Sequence, residues 1–353
     1  MTRRNFIGSA FAATVAGTFA PAAFAAKPEE IRAVLLHLGM NMWGDWRAPG
    51  EPKVEGMRYA REEVFFSESV WKRTVDHAKA RGFNMVVMDL GEFMEYPSHP
   101  ELAVTGSWSS EKMSAEVKRL KAMGLEPIPK LNFSTSHDSW LKEYHRMVST
   151  RTYYKVCADI IKDTCEVFGH PRFFHIGFDE ERPENQRRCS FTVARQGELW
   201  WHDLTWFCRG LEKLGSRAWM FSDYGWHHPE FVAKCPKSVL QSNWYYNEDM
   251  QGYDVTAMKD WFKPKLRLFD DLDKAGFDQV PCPSNWVSQK QKDAGKTDNS
   301  DCAGEVVRYC RAHVSPERLK GFMMASWTDC KGEGACKFNC AGMDQLADAM
   351  DRN

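Results

Sequence analysis

Apolar and polar positions alternate along this chain in a repeated module. An amphipathic segment ends at a glycine, and a short apolar run follows. Ala80-Arg81-Gly82 leads into the run 83–88, and Ala122-Met123-Gly124 into 125–131. Val167-Phe168-Gly169 leads into 173–178, Lys213-Leu214-Gly215 into 218–221, Lys274-Ala275-Gly276 into 277–280, and Lys320-Gly321 into 322–325. Glycine ends helices in the left-handed conformation, so each of these glycines reads as a helix stop. Helical periodicity supports this. Met113, Val117, Leu120 and Met123 share one face, as do Val156, Ile160, Thr164 and Phe168. The apolar runs are too short for helices and read as buried parallel strands. Adding 33–38 and 238–244 gives eight. Eight alternating βα units predict an α/β fold, a single (β/α)8 TIM barrel. An open doubly wound sheet is the alternative, but no glycine-rich phosphate loop follows the first strand.

In such a barrel the site lies where the strands end. Each apolar run here switches to polar and aromatic residues at its end. The ends read His37-Leu38-Gly39-Met40-Asn41, Asp89-Leu90-Gly91-Glu92, Lys130-Leu131-Asn132, and His175 with Asp179-Glu180. The remaining four are Ser222-Asp223-Tyr224, Asn243-Trp244-Tyr245-Tyr246-Asn247, Pro283-Ser284-Asn285-Trp286, and Ser326-Trp327-Thr328-Asp329. Acids, amides, Trp and Tyr with few Lys or Arg suit a neutral polyhydroxylated ligand better than a phosphate.

Composition narrows the picture. A formal net charge of -1 gives no footprint for nucleic acid or an anionic membrane. The 14 Trp are rich for this length; most belong in a core, but an indole face also stacks on a sugar ring. Arg3-Arg4, the Ala-rich apolar run from Phe6 to Phe19 and Ala23-Phe24-Ala25 predict a twin-arginine signal peptide over residues 1–25, cleaved on export to the periplasm or beyond. Residues 26–353 would then form the barrel, with no stable membrane anchor. Of the 11 Cys, Cys330, Cys336 and Cys340 cluster in a spacing that fits no common zinc motif. In an exported chain they predict a disulfide, with at least one thiol left free. His202, His227 and His228 show no metal-ligand spacing, so neither a metal nor another cofactor is expected.

The stretch Phe173–Glu181 begins as a buried strand and ends in Asp179, Glu180 and Glu181. Adjacent carboxylates there are costly unless something uses them. Glycoside hydrolysis needs a proton donor beside the leaving oxygen and negative charge near the anomeric carbon, and Asp179 with Glu180 offers both. Glu181 reads as a neighbour in an acidic loop. His137-Asp138 could stand behind the pair. Asp223 could line the pocket with Trp226 or cap a helix.

The motif His175-Ile176-Gly177-Phe178-Asp179-Glu180 resembles the His-x-Gly-x-Asp-Glu signature of the family-20 β-N-acetylhexosaminidases, which are (β/α)8 barrels. Trp244-Tyr245-Tyr246-Asn247 resembles that family's motif at strand six, and Trp327-Thr328-Asp329 its motif at strand eight. The resemblance implies a retaining, substrate-assisted glycosidase that releases 2-acetamido sugars from a glycan or oligosaccharide. Glu180 would be the general acid/base, Asp179 would orient the acetamido group, and Tyr245 would donate to its oxygen. Trp244 and Trp327 would wall the pocket, Asn247 and Asp329 would bind hydroxyls, and His175 would support the acidic pair. Asn247 and the shorter Asp329 depart from the family's acids, and Phe178 from its second glycine. The family's sugar-gripping arginine after strand one has no match in Asn41-Met42-Trp43, although Arg47 lies nearby. Two other readings stand beside this one. A glycosidase of a non-acetamido sugar would pair Glu180 with Asp89, Glu92 or Asp223 directly. A non-catalytic barrel would only bind carbohydrate.

Overall fold

A computed structural model describes residues 30–246, 260, 262–288, 292, 293, 295 and 299–352. The expected signal peptide over residues 1–25 and the expected sugar-binding Asn247 lie outside them.

Strands and helices alternate in the predicted order. They run β1 (Ile31–His37), α1 (Glu68–Ala80), β2 (Met85–Asp89), α2 (Ser110–Ala122), β3 (Glu126–Lys130), α3 (Arg151–Phe168), β4 (Phe173–His175) and α4 (Glu198–Lys213). The second half adds β5 (Arg217–Phe221), α5 (Phe231–Lys234), β6 (Leu240–Ser242), α6 (Lys263–Lys274), α7 (Cys302–His313), β7 (Gly321–Ala325) and α8 (Glu333–Arg352). The sheet order is β6-β5-β4-β3-β2-β1-β7, with every neighbouring pair parallel. Gly169 illustrates the glycine stops: at φ 68° it ends α3 and donates its N–H to the last-turn carbonyls of Cys165 and Glu166.

Among the described residues the sheet contains seven regular strands, not the eight expected. The run at 277–280 does not form a ladder, because Pro281 and Pro283 beside it carry no N–H to donate. The segment nevertheless fills the gap between β6 and β7. Val280 donates to the Gln241 carbonyl at 2.8 Å, and Met323 to the Pro281 carbonyl at 3.0 Å. Gln279 bridges both to Gln241 and to Leu319. The barrel therefore closes through an irregular eighth position.

Strand alternation divides the core in two. Val34, Leu36, Val86 and Met88 pack outward beneath the helices. Ala33, Leu35, Met85, Val87, Ile128, Trp219, Phe221 and Met323 fill the barrel interior. Among the described residues no helix is long and apolar enough to cross a membrane.

The disulfide expected among Cys330, Cys336 and Cys340 is not formed: all eleven cysteines are free thiols. Cys336 and Cys340 lie one turn apart on α8, so a bridge between them would close only a tiny loop and constrain little.

Candidate functional site

The acid pair is positioned by an unusual run of backbone. Gly177, Phe178 and Glu180 all have positive φ, at 70°, 67° and 57°. A side chain at Gly177 would place its Cβ 2.0 Å from Asn132 Oδ1, so only glycine fits there. Phe178 stands where the resembled motif has its second glycine, and it pays the left-handed conformation back by burial. Its ring packs on Trp200, on Phe207 and under the Arg195 guanidinium. Asn132, at the end of β3, ties the turn together. Its Oδ1 accepts from the N–H groups of Ser134 and Phe178 at 3.0 and 3.3 Å, while its Nδ2 donates to Asp179 Oδ1 at 2.8 Å. Left-handed non-glycine residues held by such ties cluster at functional sites.

The side chains converge on His137. Its Nε2 lies 3.3 Å from Glu180 Oε2 and 3.7 Å from Asp179 Oδ2. Its Nδ1 faces the Met42 carbonyl at 3.3 Å. Burial would depress the imidazole, but the charges of Asp179 and Glu180 outweigh it and raise its pKa to about 9. Burial works against ionised Glu180 too, yet its hydrogen bond with His137 and that residue's charge hold it below the usual carboxylate range. Beneath the pair, Asp223 Oδ2 accepts the Glu180 N–H at 2.9 Å. Burial, then the charges of Asp179 and Glu180, push Asp223 up to about 7. Asp223 thus caps the acidic turn rather than its own short helix.

These groups open onto a cavity of about 420 Å³. Asp179, Glu180 and His137 line it together with Trp43, Trp244, Tyr246, Trp286, Trp327, Thr328, Asp329, Met40 and Arg58. The structure therefore brings Asp179, Glu180, Trp244, Trp327 and Asp329 to one cavity, with the Asp223 carboxylate accepting the Glu180 N–H. Two expectations fail. Tyr245 is fully buried away from the cavity, packed on Phe262, with its carbonyl accepting from Cys302. Extended backbone turns alternate side chains to opposite sides, so Trp244 and Tyr246 face inward and Tyr245 cannot. Tyr246 stacks on Trp244 with centroids 4.6 Å apart. His175 does not support the acid pair. It is buried within the barrel against Trp219 and Phe221, and its Nδ1 accepts the Gly177 N–H at 3.0 Å. Burial and the Lys130 charge keep it neutral, well below 6.5. His137 performs the supporting role instead.

The remaining strand-end acids are occupied. Asp89 bonds His37 Nδ1 at 3.0 Å and takes the buried Lys130 ammonium. Glu92 Oε1 accepts from the N–H groups of Met40 and Asn41 at 2.7 and 3.1 Å. Glu181 turns away from the cavity. Its carboxylate is buried against Arg195 at 2.9 Å, and Arg195 Nε meets Asp203 at 2.8 Å. Arg47 lines a neighbouring groove, and Arg58 is the arginine that lines the cavity. No strand-end pattern points to Arg58, which lies in the long connection after β1.

Neither a scan against family models nor a search of curated proteins finds a match. Solved structures do match. The β-N-acetylhexosaminidase of Bacteroides fragilis NCTC 9343 superposes with a TM-score of 0.57 at 13% identity, over 89% of this chain and 65% of that one. Dispersin B gives 0.53 at 14%, over 81% and 94%. The family-20 β-N-acetylhexosaminidase of Streptomyces coelicolor A3(2) gives 0.59 at 12%, over 90% and 64%. The barrel fold is shared with these proteins. This chain spans about two thirds of the Bacteroides and Streptomyces chains and nearly all of dispersin B.

Among the described residues, His137, Asp179 and Glu180 form the one group of three ligand-type side chains close enough to hold an ion, with their atoms within 4.8 Å.

Proposed function

We propose that the chain is an exported glycosidase that removes 2-acetamido sugars from a glycan by a retaining, substrate-assisted route. The observation that carries this reading is the convergence of Asp179, Glu180 and His137 on one aromatic-walled cavity. An enzyme nucleophile and an acid flank a glycosidic bond from two sides, with carboxyls about 5–5.5 Å apart in retaining enzymes. Here one imidazole touches both carboxylates, and oxygens of the pair lie within 4.8 Å. Asp89 and Glu92 are bound up elsewhere. The resemblance to family 20 and the engagement of Asp89 and Glu92 elsewhere favour attack by the substrate's own acetamido oxygen.

In this mechanism the acetamido carbonyl oxygen bonds to the anomeric carbon as the glycosidic C–O bond breaks. The leaving oxygen takes the proton of Glu180. In the free protein that proton resides on His137. A sugar that displaces water raises the cost of the Glu180 charge and draws the proton across the 3.3 Å contact. Asp179 accepts the acetamido N–H and balances the charge of the oxazolinium ring. Water then adds to the anomeric carbon, gives its proton to Glu180, and the ring opens with retained configuration. Tyr246, in place of Tyr245, donates to the acetamido oxygen. Trp244 and Trp327 bound the sugar, and Asp329 reaches a hydroxyl. Export by the twin-arginine route would place this activity in the periplasm or outside the cell.

The test is a panel of aryl glycosides in the gluco and galacto series, each with and without the 2-acetamido group. Wild type should release the chromophore only from acetamido substrates, and Glu180→Gln should slow release roughly 10²–10⁴-fold. Hydrolysis of plain glycosides at comparable rates would overturn the substrate-assisted reading. Calorimetric binding of sugar with no turnover would favour a carbohydrate-binding barrel.

A further inference from the structure

The three side chains that meet at the cavity are also a donor set for a metal ion. No spacing along the chain announces it, because His137 follows β3 and the two acids follow β4. A tetrahedral zinc ion holds nitrogen and oxygen at about 2.0–2.2 Å, which sets neighbouring ligand atoms roughly 3.4 Å apart. His137 Nε2 lies 3.3 Å from Glu180 Oε2 and 3.7 Å from Asp179 Oδ2. Ligand atoms of all three residues fall within 4.8 Å of one another. The Glu180 side chain, 35% exposed, has the freedom to close what remains.

The surrounding contacts are those that hold ligands in place. His137 Nδ1 faces the Met42 carbonyl at 3.3 Å. When the ring carries one proton, that contact keeps it on Nδ1 and turns the Nε2 lone pair toward the acids. Asp179 Oδ1 accepts from Asn132 Nδ2 at 2.8 Å, which leaves Oδ2 for an ion. Metal-bound imidazoles and carboxylates are oriented by partners of this kind. The His137 and Asp179 side chains are each only 8% exposed, so little water competes for them. The cavity in front of the trio leaves a fourth position for water. Two carboxylates neutralise a dication, and the imidazole favours a transition metal over Mg²⁺ or Ca²⁺.

We propose that His137 Nε2, Asp179 Oδ2 and Glu180 Oε2 bind a zinc-type dication, and that the bound ion switches the glycosidase off. The blocking rests on the glycosidase reading above; the binding does not. The ion takes the place of the proton on Nε2. It also occupies the oxygens that the acetamido N–H and the leaving oxygen of the sugar would meet, so ion and substrate exclude each other.

The test titrates Zn²⁺ by calorimetry into the full chain, first stripped with EDTA and then freed of it. Wild type should bind the ion, and excess Mg²⁺ should not displace it. Glu180→Gln and His137→Gln should each lose the binding, and Zn²⁺ should raise the thermal midpoint of wild type alone. On an aryl 2-acetamido glucoside, Zn²⁺ at ten times its Kd should raise KM about elevenfold with kcat unchanged, and EDTA should reverse the effect. Binding that survives both substitutions, or turnover that requires Zn²⁺, would overturn the proposal. Zn²⁺ binding that is lost in the variants upholds the metal site even if no glycoside is cleaved, an outcome that would sink the glycosidase reading alone. Turnover by a wild type that Zn²⁺ neither binds nor slows would sink the metal site alone.

Discussion

Glu180 and Glu181 are neighbours in the chain and opposites in the fold. Glu181 is buried against Arg195, which also meets Asp203, donates to the Phe133 carbonyl at 3.0 Å and reaches Tyr153 at 2.9 Å. Its compensating charge is an arginine, which does not titrate. Glu180 keeps a side chain 35% exposed to the cavity, and its compensating charge is a histidine. A permanent cation makes a carboxylate a structural cross-link. A titratable one leaves the carboxylate able to gain and lose a proton. The partner, more than the acid, separates framework from chemistry.

Substitutions can break or sharpen this contrast. Glu180→Gln should have the largest effect, lowering kcat roughly 10²–10⁴-fold with little change in thermal midpoint, as expected for loss of a general acid. Its mirror image is Glu181→Gln. Removing half of a buried pair leaves Arg195 partly uncompensated and should cost about 3–5 kcal/mol of stability, read by denaturant unfolding, with kcat of the folded enzyme little changed. A large loss of kcat at full stability would erase the distinction between the two glutamates.

His137→Gln should act on the pH dependence of stability. The His137 pKa lies at about 9 in the fold against an ordinary 6.5. A raised histidine contributes stability that is complete below about pH 6.5 and is lost as pH climbs to about 9, on the order of 3 kcal/mol in all. Wild type should therefore lose thermal midpoint across that window, and the variant should show a flatter profile. An unchanged slope would mean that the imidazole is not the cation of the pair. The smallest effect is expected at the tyrosines. Tyr246→Phe should lower kcat on acetamido substrates by about one hydrogen bond's worth, roughly fivefold, while Tyr245→Phe should leave kcat little changed. The reverse order would restore Tyr245 to the site.

The sequence by itself carried whatever depends on local rules. Helix periodicity and the glycine stops announced alternating helices and strands, because both follow from backbone geometry within a few residues. The polar and aromatic switch at the strand ends marked the mouth of the barrel, and Asp179-Glu180 stood out because adjacent acids after an apolar run are costly. Trp244, Trp327 and Asp329 stood at the same strand ends, and the motif resemblance singled them out.

Tertiary structure decided what depends on which groups meet. Strand phase put Tyr246 into the cavity and Tyr245 behind it, and a phase slip of one residue is invisible where both candidates are tyrosine. His137 and His175 looked alike as histidines near strand ends. Only packing showed that one lies between two carboxylates and the other between Trp219 and Phe221. The seventh apolar run read as a strand, yet its flanking prolines left it to close the barrel through isolated bridges. Arg58 came from a long connection that has no period to read, and two distant stretches of chain had to meet before its charge became part of the site. Local sequence sets conformation, but the charge a buried group feels is summed over neighbours that only the fold brings together.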